Sequence, residues 1–322
     1  MNQQRTAVLL APEQGHHLGW QGGMIVYKAL SAETNGQYAL SVSRVAPWSG
    51  PQPLIQTRED RGYFVLDGEL TFSAGNQTLT VPSGGFLNVR RGTVHSFVNS
   101  SETESTVLAV NAPGGFDRFQ FEAGHPLPDG SALVPPTESD DLSRLKEAAR
   151  KYGVELSPPA EAFQRPPSVR LTGLDEGQSI YVVGDLYRFL AVGEDTGGSY
   201  ALWEAIVPPG GGPPLHVHSR EEEGFYILEG EITFTIEDRA ITANRGTFAS
   251  LPPGVRHAFR NNSDRTARML ILVAPAGLEK MFEETGVPVA DPASTAPPVS
   301  SDEIERLLAA APRYGITIFP PS

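Results

Sequence analysis

Two periodicities of apolar and polar positions run along this chain and predict its elements. Runs such as residues 200–207 and 231–236 alternate and are rich in β-branched and aromatic residues. Because successive side chains of a strand point to opposite faces, a period of two predicts β-strands. Residues 139–152 and 300–314 instead carry apolar residues at helical spacing after Ser and Asp capping signals, so each predicts a short helix. We therefore expect a mainly β protein.

The same unit occurs twice in the chain. A shift of 162 residues superimposes the first half on the second without an insertion. The matched pairs include Gly68 with Gly230, Gly84 with Gly246, His95 with His257, Asn99 with Asn261, and Tyr152 with Tyr314. Such self-similarity indicates a repeated structural unit. We predict two domains, 1–160 and 161–322, each ending in a short helix, with the proline-rich segment 158–167 as the linker.

Composition and charge exclude several classes of function. The 322 residues are 39% hydrophobic, which is enough for two ordinary cores, and the formal net charge is −13. This acidic balance argues against nucleic acid or an anionic membrane as a partner. There is no cysteine, so thiolate ligands and disulfides are excluded. The chain start does not resemble a signal peptide and no membrane-length apolar run follows, so we expect a soluble cytoplasmic protein.

A group of histidines and one carboxylate in the second half is the strongest chemical signal. His216 and His218 form an H-x-H pair, Glu223 follows, and His257 comes 39 residues after His218. On a strand the two paired histidines share one face. Three imidazoles and a carboxylate suit a divalent first-row transition metal that keeps open positions. An isolated H-x-H or the acidic run 221–223 alone would carry little meaning, but the combined spacing predicts a metal site.

The matching positions of the first half do not preserve these ligands. Leu54, Gln56 and Arg61 stand where the second half has its two paired histidines and its glutamate, and only His95 has a histidine partner. A permanent cation beside the site would repel a metal ion. We expect about one metal ion per chain, held in the second half. The first half is then a scaffold or, alternatively, a pocket for a small anion lined by Gln56, Arg61 and His95.

Glycine and proline residues complete two motifs around these ligands. The first motif continues from Gly210 to Gly230, and the second contains Gly246, Pro252, Gly254 and Asn261. With these residues the sequence resembles the cupin superfamily. That resemblance implies an all-β fold with two tandem cupin barrels (double-stranded β-helix or jelly roll), each followed by a short C-terminal helix. It also implies that the metal is held by His216, His218, Glu223 and His257.

The two barrels, the metal site and the tail helices together look like the quercetin 2,3-dioxygenase group. The resemblance implies an enzyme that uses dioxygen on an enolisable aromatic or hydroxy-ketone small molecule, with Glu223 as the catalytic base. The metal would be Fe, Mn, Ni, Co, Cu or Zn. Five apolar side chains near the ligands are predicted to line the substrate pocket: Phe225, Ile227, Phe259, Trp203 and Phe248.

Two other classes of function are also compatible with the sequence. One is a non-redox metalloenzyme, such as an isomerase or lyase, that uses the ion as a Lewis acid. The other is a non-catalytic bicupin that binds a metal and a ligand. Two barrels in one chain are expected to pack as single barrels do in a dimer, and a homodimer of the whole chain is also left open.

Overall fold

A computed structural model describes residues 5–21, 23–127, 139–174, 176–289 and 296–319 of the chain. The strands of the first part are β1 (Val8–Leu10), β2 (His16–Trp20), β3 (Gly23–Ala29), β4 (Ala39–Val45), β5 (Leu54–Gln56), β6 (Asp60–Asp67), β7 (Glu69–Ala74), β8 (Gln77–Pro82), β9 (Phe86–Val89), β10 (Val94–Val98), β11 (Ser105–Ala112), β12 (His125–Pro126), β13 (Val154–Leu156) and β14 (Val169–Thr172). The strands that follow are β15 (Ser179–Val182), β16 (Asp185–Ala191), β17 (Ala201–Val207), β18 (His216–His218), β19 (Glu222–Glu229), β20 (Glu231–Ile236), β21 (Arg239–Asn244), β22 (Phe248–Leu251), β23 (His257–Arg260), β24 (Ala267–Ala274), β25 (Val287–Val289) and β26 (Ile316–Ile318).

Short helices accompany the strands. The α-helices are α1 (Phe116–Ala123), α2 (Ser139–Tyr152), α3 (Gly193–Thr196), α4 (Glu279–Thr285) and α5 (Ser301–Ala310), with 3₁₀ turns at Ala160–Gln164 and Ala311–Tyr314. Helices α2 and α5 are the two tail helices that the sequence predicts, and the Ser300 hydroxyl caps α5 by accepting from the backbone N–H of Glu303. Helices α1 and α4 were not predicted. Each directly follows the last long strand of a barrel, so each unit carries two tail helices among its described residues.

Each unit consists of an eight-stranded and a five-stranded antiparallel sheet within the described residues. In one unit the orders are β12-β2-β3-β4-β11-β6-β9-β14 and β13-β5-β10-β7-β8. In the other they are β1-β22-β19-β24-β17-β16-β15-β25 and β21-β20-β23-β18-β26. Asn99 and Asn261 make the same contact in the two units, since each side-chain amide donates to a backbone carbonyl, of Val45 and Val207 respectively. The all-β, two-barrel prediction is confirmed.

The compact units do not follow the expected division at residues 160 and 161. One unit is Glu13–Glu176, and the other combines Met1–Pro12 with Gly177–Ser322. Strand pairing explains the difference, because β14 adds to β9 at the edge of the first unit's sheet, and β1 adds to β22 in the other unit. The linker segment predicted at 158–167 therefore lies within the first unit.

The core of the second unit lies between its two sheets. Phe225, Phe234 and Trp203 are among its fully buried side chains. The chain passes from β19 to β20 through a turn at Gly230, whose φ of +76° is in the left-handed region that glycine tolerates. The two strands belong to different sheets: β19, which carries Glu223, pairs with β22 and β24, whereas β20 pairs with β21 and β23.

Candidate metal centre

Four side chains from three strands meet inside the second unit. His216 and His218 lie on β18, Glu223 on β19 and His257 on β23. His216 is directly opposite His257 in the antiparallel pairing of β18 with β23. One ligand atom from each side chain lies within 4.8 Å of all the others. The structure thus brings together the four residues that the sequence singled out.

The nitrogen atoms that converge on the centre are the Nε2 atoms. The Glu223 Oε2 atom is 3.0 Å from Nε2 of His257 and 3.3 Å from Nε2 of His218. The rings of His216 and His257 are 4.3 Å apart between centroids. Three nitrogen donors and a carboxylate oxygen at this spacing suit a divalent transition metal ion.

The opposite nitrogen of each imidazole is anchored. Nδ1 of His216 lies 2.9 Å from the carbonyl oxygen of Pro214, and Nδ1 of His257 lies 3.0 Å from that of Val255. Because a carbonyl only accepts, both Nδ1 atoms carry the proton and leave Nε2 with a free lone pair. This is the tautomer that a metal ligand requires.

His218 is anchored by a side chain instead. Its Nδ1 lies 3.4 Å from Oε2 of Glu221, whose other oxygen pairs with Arg220 at 2.9 Å. Glu221 is only 1% exposed. From the sequence this residue belonged to an uninformative acidic run, and no spacing signal distinguishes it as the residue that orients His218.

The electrostatics of the cluster favour a bound cation. Burial raises the pKa of Glu223, but the three imidazoles outweigh it and lower that pKa to about 2. Burial, together with the neighbouring histidines, lowers the pKa of His216 to about 3, so that ring is neutral. Burial also lowers the pKa of His218, but the carboxylates of Glu223 and Glu221 more than offset this and raise it. An ionised carboxylate among imidazole nitrogens, at least one of them neutral, is a fitting donor set for a divalent cation.

A cavity of about 70 Å³ is lined by three of the four ligands, His216, His218 and Glu223. Of the five side chains predicted to line it, Trp203 and Phe259 do so. Phe225 and Ile227 share the inner face of β19 with Glu223 but are packed deeper in the core. Phe248 is fully buried on the other face of the sheet: it is opposite Tyr226, whereas its neighbour Ala249 is opposite Phe225 on the inner face. The alternation of β22 thus turns Phe248 away from the cavity.

Several cavity residues were not predicted. Helices α4 and α5 contribute apolar side chains, and β16 contributes two polar ones. These additional lining residues include Leu278, Met281, Phe282, Leu307, Asp185 and Tyr187. The Tyr187 hydroxyl donates to Asp185 at 3.5 Å, and burial raises the pKa of Asp185 to about 7. No motif marked these positions, because their role depends on how the tail helices pack over the barrel.

In the first unit, Arg61 occupies the position that corresponds to Glu223. Its guanidinium lies over the rings of Tyr63 and Phe116, and His95 lines the same cavity. Gln56, the third member of the anion pocket considered from the sequence, does not line this cavity but donates to Asn111 at 3.0 Å.

None of the helices in the described part of the chain combines the length and apolar character that crossing a bilayer requires.

Comparison with known proteins connects this architecture to a family. Residues 203–273 match the cupin domain family. The chain is 28% identical over 240 residues to quercetin 2,3-dioxygenase from Bacillus subtilis (strain 168), which covers 70% of each protein.

Solved structures with the same fold include oxalate decarboxylase from Lactobacillus farciminis in complex with formate. The TM-score is 0.57 at 15% identity, over 84% of this chain and 86% of that one. Procruciferin, an 11S globulin from Brassica napus, gives a TM-score of 0.57 at 12% identity, over 85% of each chain. At these identities the structures show the fold alone. The chain therefore has a two-barrel (bicupin) fold, and its second half contains the segment that matches the cupin domain family.

Proposed function

We propose that this bicupin is a metal-dependent dioxygenase that acts on a compact enolisable ketone or phenol in its second barrel. The observation that carries the proposal is the convergence of three Nε2 atoms and the Glu223 carboxylate beside an apolar cavity. The similarity to quercetin 2,3-dioxygenase supports the use of dioxygen.

The residues that would hold the ion are His216, His218, His257 and Glu223. When bound, a divalent transition metal supplies positive charge that acidifies an enol and redox chemistry toward dioxygen. The protein contributes fixed geometry: two of the three imidazoles are locked by backbone carbonyls, which do not depend on side-chain rotamers.

Glu223 is the group positioned to accept the proton of the enol. Among the described residues it is the carboxylate that groups with the three histidines as a ligand, whereas Glu221 contacts only the outer nitrogen of His218, and burial leaves Glu223 6% exposed. Its low pKa keeps it ionised at neutral pH. Glu223 can therefore accept a proton, but its low pKa makes it a weak base. The substrate must consequently be made more acidic before the proton is transferred.

The remainder of the cavity favours a neutral, compact substrate. The described residues that line it include no lysine or arginine, so a small dicarboxylate would find no cationic side chain there for the carboxylate that does not reach the ion. Trp203 lines the cavity, and its buried Nε1–H has no hydrogen-bond partner. This donor is available to a substrate oxygen. The volume of about 70 Å³ is well below the range of about 300–1,000 Å³ typical of drug-sized ligands. A diketone or hydroxy-ketone therefore fits better than a three-ring flavonol.

The test is oxygen uptake by protein loaded separately with Fe, Mn, Ni, Co, Cu or Zn. The substrate panel includes pentane-2,4-dione, an α-hydroxyketone and a flavonol. We expect uptake with redox-active ions and a compact substrate, and none with zinc. Exchange of the α-hydrogen for deuterium without oxygen uptake would instead identify an isomerase or lyase. Binding of the panel without any turnover would identify a non-catalytic binding protein.

The variant Glu223→Gln keeps the shape of the side chain and removes most of its basicity. It should retain most of the metal and reduce the rate by about 100-fold or more. Glu222→Gln is the matched control, because Glu222 is adjacent but forms an ion pair with Arg5 on the other strand face. Near-normal turnover by Glu223→Gln with metal bound would contradict the assignment of the base.

A further inference from the structure

The first barrel contains an open cavity much larger than that of the metal barrel. Its volume is about 530 Å³, against about 70 Å³ in the second unit. Two bulky side chains of the second cavity explain much of the difference. Where the second unit has Trp203 and Phe282, the matching positions of the first unit hold Ser41 and Gln120. The first barrel therefore has space for an organic molecule, within the usual range for ligand sites.

An arginine that forms no salt bridge with any described residue lies on the wall of this cavity. The Arg61 guanidinium carbon is 4.9 Å from the ring centre of Tyr63 and 4.7 Å from that of Phe116. Its Nε is buried with no hydrogen-bond partner, and none of the carboxylates in the described residues forms a salt bridge with it. An arginine held by two aromatic faces keeps its planar fork available to an anion, which it can bind through two parallel hydrogen bonds.

A histidine with a free acceptor lines the same cavity. His95 is 4% exposed, and its Nδ1 donates to the carbonyl of Thr93 at 3.0 Å. Its Nε2 is buried without a partner. Since Nδ1 carries the proton, Nε2 of the neutral ring is an acceptor, and its missing partner is a donor such as a hydroxyl. The His95 ring centre lies 6.0 Å from that of Tyr63, so His95 and Arg61 contact the same aromatic ring.

The other charged groups that line the cavity form no salt bridge with Arg61; Glu59, which interacts with it electrostatically, lies outside the lining. Arg44 is paired with Glu13 at 3.0 Å, and Glu104 lies at an exposed position of the lining. Apolar side chains, among them Met24 and Phe97, form much of the remaining wall. The site thus offers one guanidinium group, one hydrogen-bond acceptor and an apolar wall.

We propose that the first barrel binds an organic carboxylate that carries a hydroxyl group and an aromatic or apolar body. The carboxylate lies on the Arg61 guanidinium, and the hydroxyl donates to Nε2 of His95. A ligand of this kind supplies the partners that both buried groups lack, and leaving such groups unpaired costs free energy. The site is separate from the metal ligands and does not depend on the chemistry proposed for the second barrel.

The experiment is calorimetric titration of the full-length, metal-loaded protein with 2-, 3- and 4-hydroxybenzoate. Benzoate, which lacks the hydroxyl, and phenol, which lacks the carboxylate, are the reference probes. We expect at least one hydroxybenzoate to bind about 10-fold more tightly than either reference. Binding should persist in the double variant His216→Ala/His218→Ala, which removes the metal site of the second barrel as a competing binding site. No binding of any hydroxybenzoate, or binding that disappears in that double variant, would overturn the proposal.

Variants of the first barrel locate the site. Arg61→Gln should weaken binding by about 10-fold or more, while Arg44→Gln, on the same wall but already paired, should change it less than about twofold. Thermal unfolding distinguishes a binding role from a structural one. If Arg61 serves to bind a ligand and is unpaired in the free protein, its replacement should not lower the Tm of the free protein. If Arg61→Gln does not fold, His95→Phe tests the same site, because it removes the acceptor and keeps an apolar ring. Unchanged hydroxybenzoate affinity in either folded variant would contradict the assignment.

Discussion

Replacing Glu221 tests how the protein orients a metal ligand without touching a ligand itself. Of the three histidines, only His218 has its Nδ1 anchored by a side chain. Glu221→Ala removes this acceptor and leaves the buried Nδ1–H unpaired. The tautomer with a proton on Nε2, which can donate to Glu223, then competes with the tautomer that binds metal. We therefore expect weaker metal binding with the ligand set intact.

The magnitude follows from the contact. Loss of an outer partner of a metal-bound histidine usually costs about 10–100-fold in affinity. The Glu221–His218 distance of 3.4 Å is near the long limit of a hydrogen bond, which places the effect at the lower end, about 10-fold. The other partner of Glu221 is Arg220, whose side chain is 51% exposed. Water can therefore solvate Arg220 when the glutamate is removed, so the loss of this ion pair adds little to the effect.

The assay is competition for Co²⁺ or Zn²⁺ against a chromogenic chelator at pH 7. The wild type, Glu221→Ala and Glu221→Gln are compared, with Glu222→Ala as the control. Glu222 is also buried and acidic, but it faces Arg5 rather than the histidines. Wild-type affinity in Glu221→Ala, or an equal loss in Glu222→Ala, would refute the orienting role.

Three further predictions follow from the two barrels. Elemental analysis should find about one metal ion per chain, absent from His216→Ala/His218→Ala and retained in His95→Ala; two ions per chain would contradict this. Burial, helped by the Arg61 charge, lowers the pKa of His95 from 6.5 to about 4, so below pH 6.5 the unfolded chain takes up a proton that the folded chain does not. This linkage should lower the free energy of unfolding by about 2 kcal/mol between pH 7 and pH 5. In His95→Gln, denaturant titrations should show a decrease that is smaller by this amount. Trp203→Phe should raise KM by about 10-fold with little change in kcat, because it removes one donor to the substrate; steady-state kinetics with an unchanged KM would exclude that contact.

The fold and the ligand set could be predicted because both depend on local spacing. His216 and His218 share a face in any strand, and the turn residues Gly230 and Gly254 mark where the flanking strands end. The repeat extends this information to the whole chain. Helix 139–152 was also predicted with its observed bounds, since its apolar spacing is local.

The cavity could not be predicted to the same extent because its walls depend on pairing between distant segments. Phe248 was assigned to the pocket, but the register that places Ala249 opposite Phe225 puts it on the other face. Phe282 lines the cavity because α4 packs over the barrel, and no periodicity of that short helix indicates which barrel side chains it covers. Register and helix packing are properties of the folded chain.

The division of the chain into units also sets an order of events during synthesis. The unit Glu13–Glu176 is one continuous segment and can complete its sheets while the remainder is still being translated. The metal-binding unit cannot, because its sheets need β1 from the start of the sequence and β26 from near its end. Strand β26 pairs directly with β18, which carries His216 and His218. The strands that carry the four ligands are thus completed by a strand that is translated after all of them, and we expect the metal centre to form only once β26 has paired with β18.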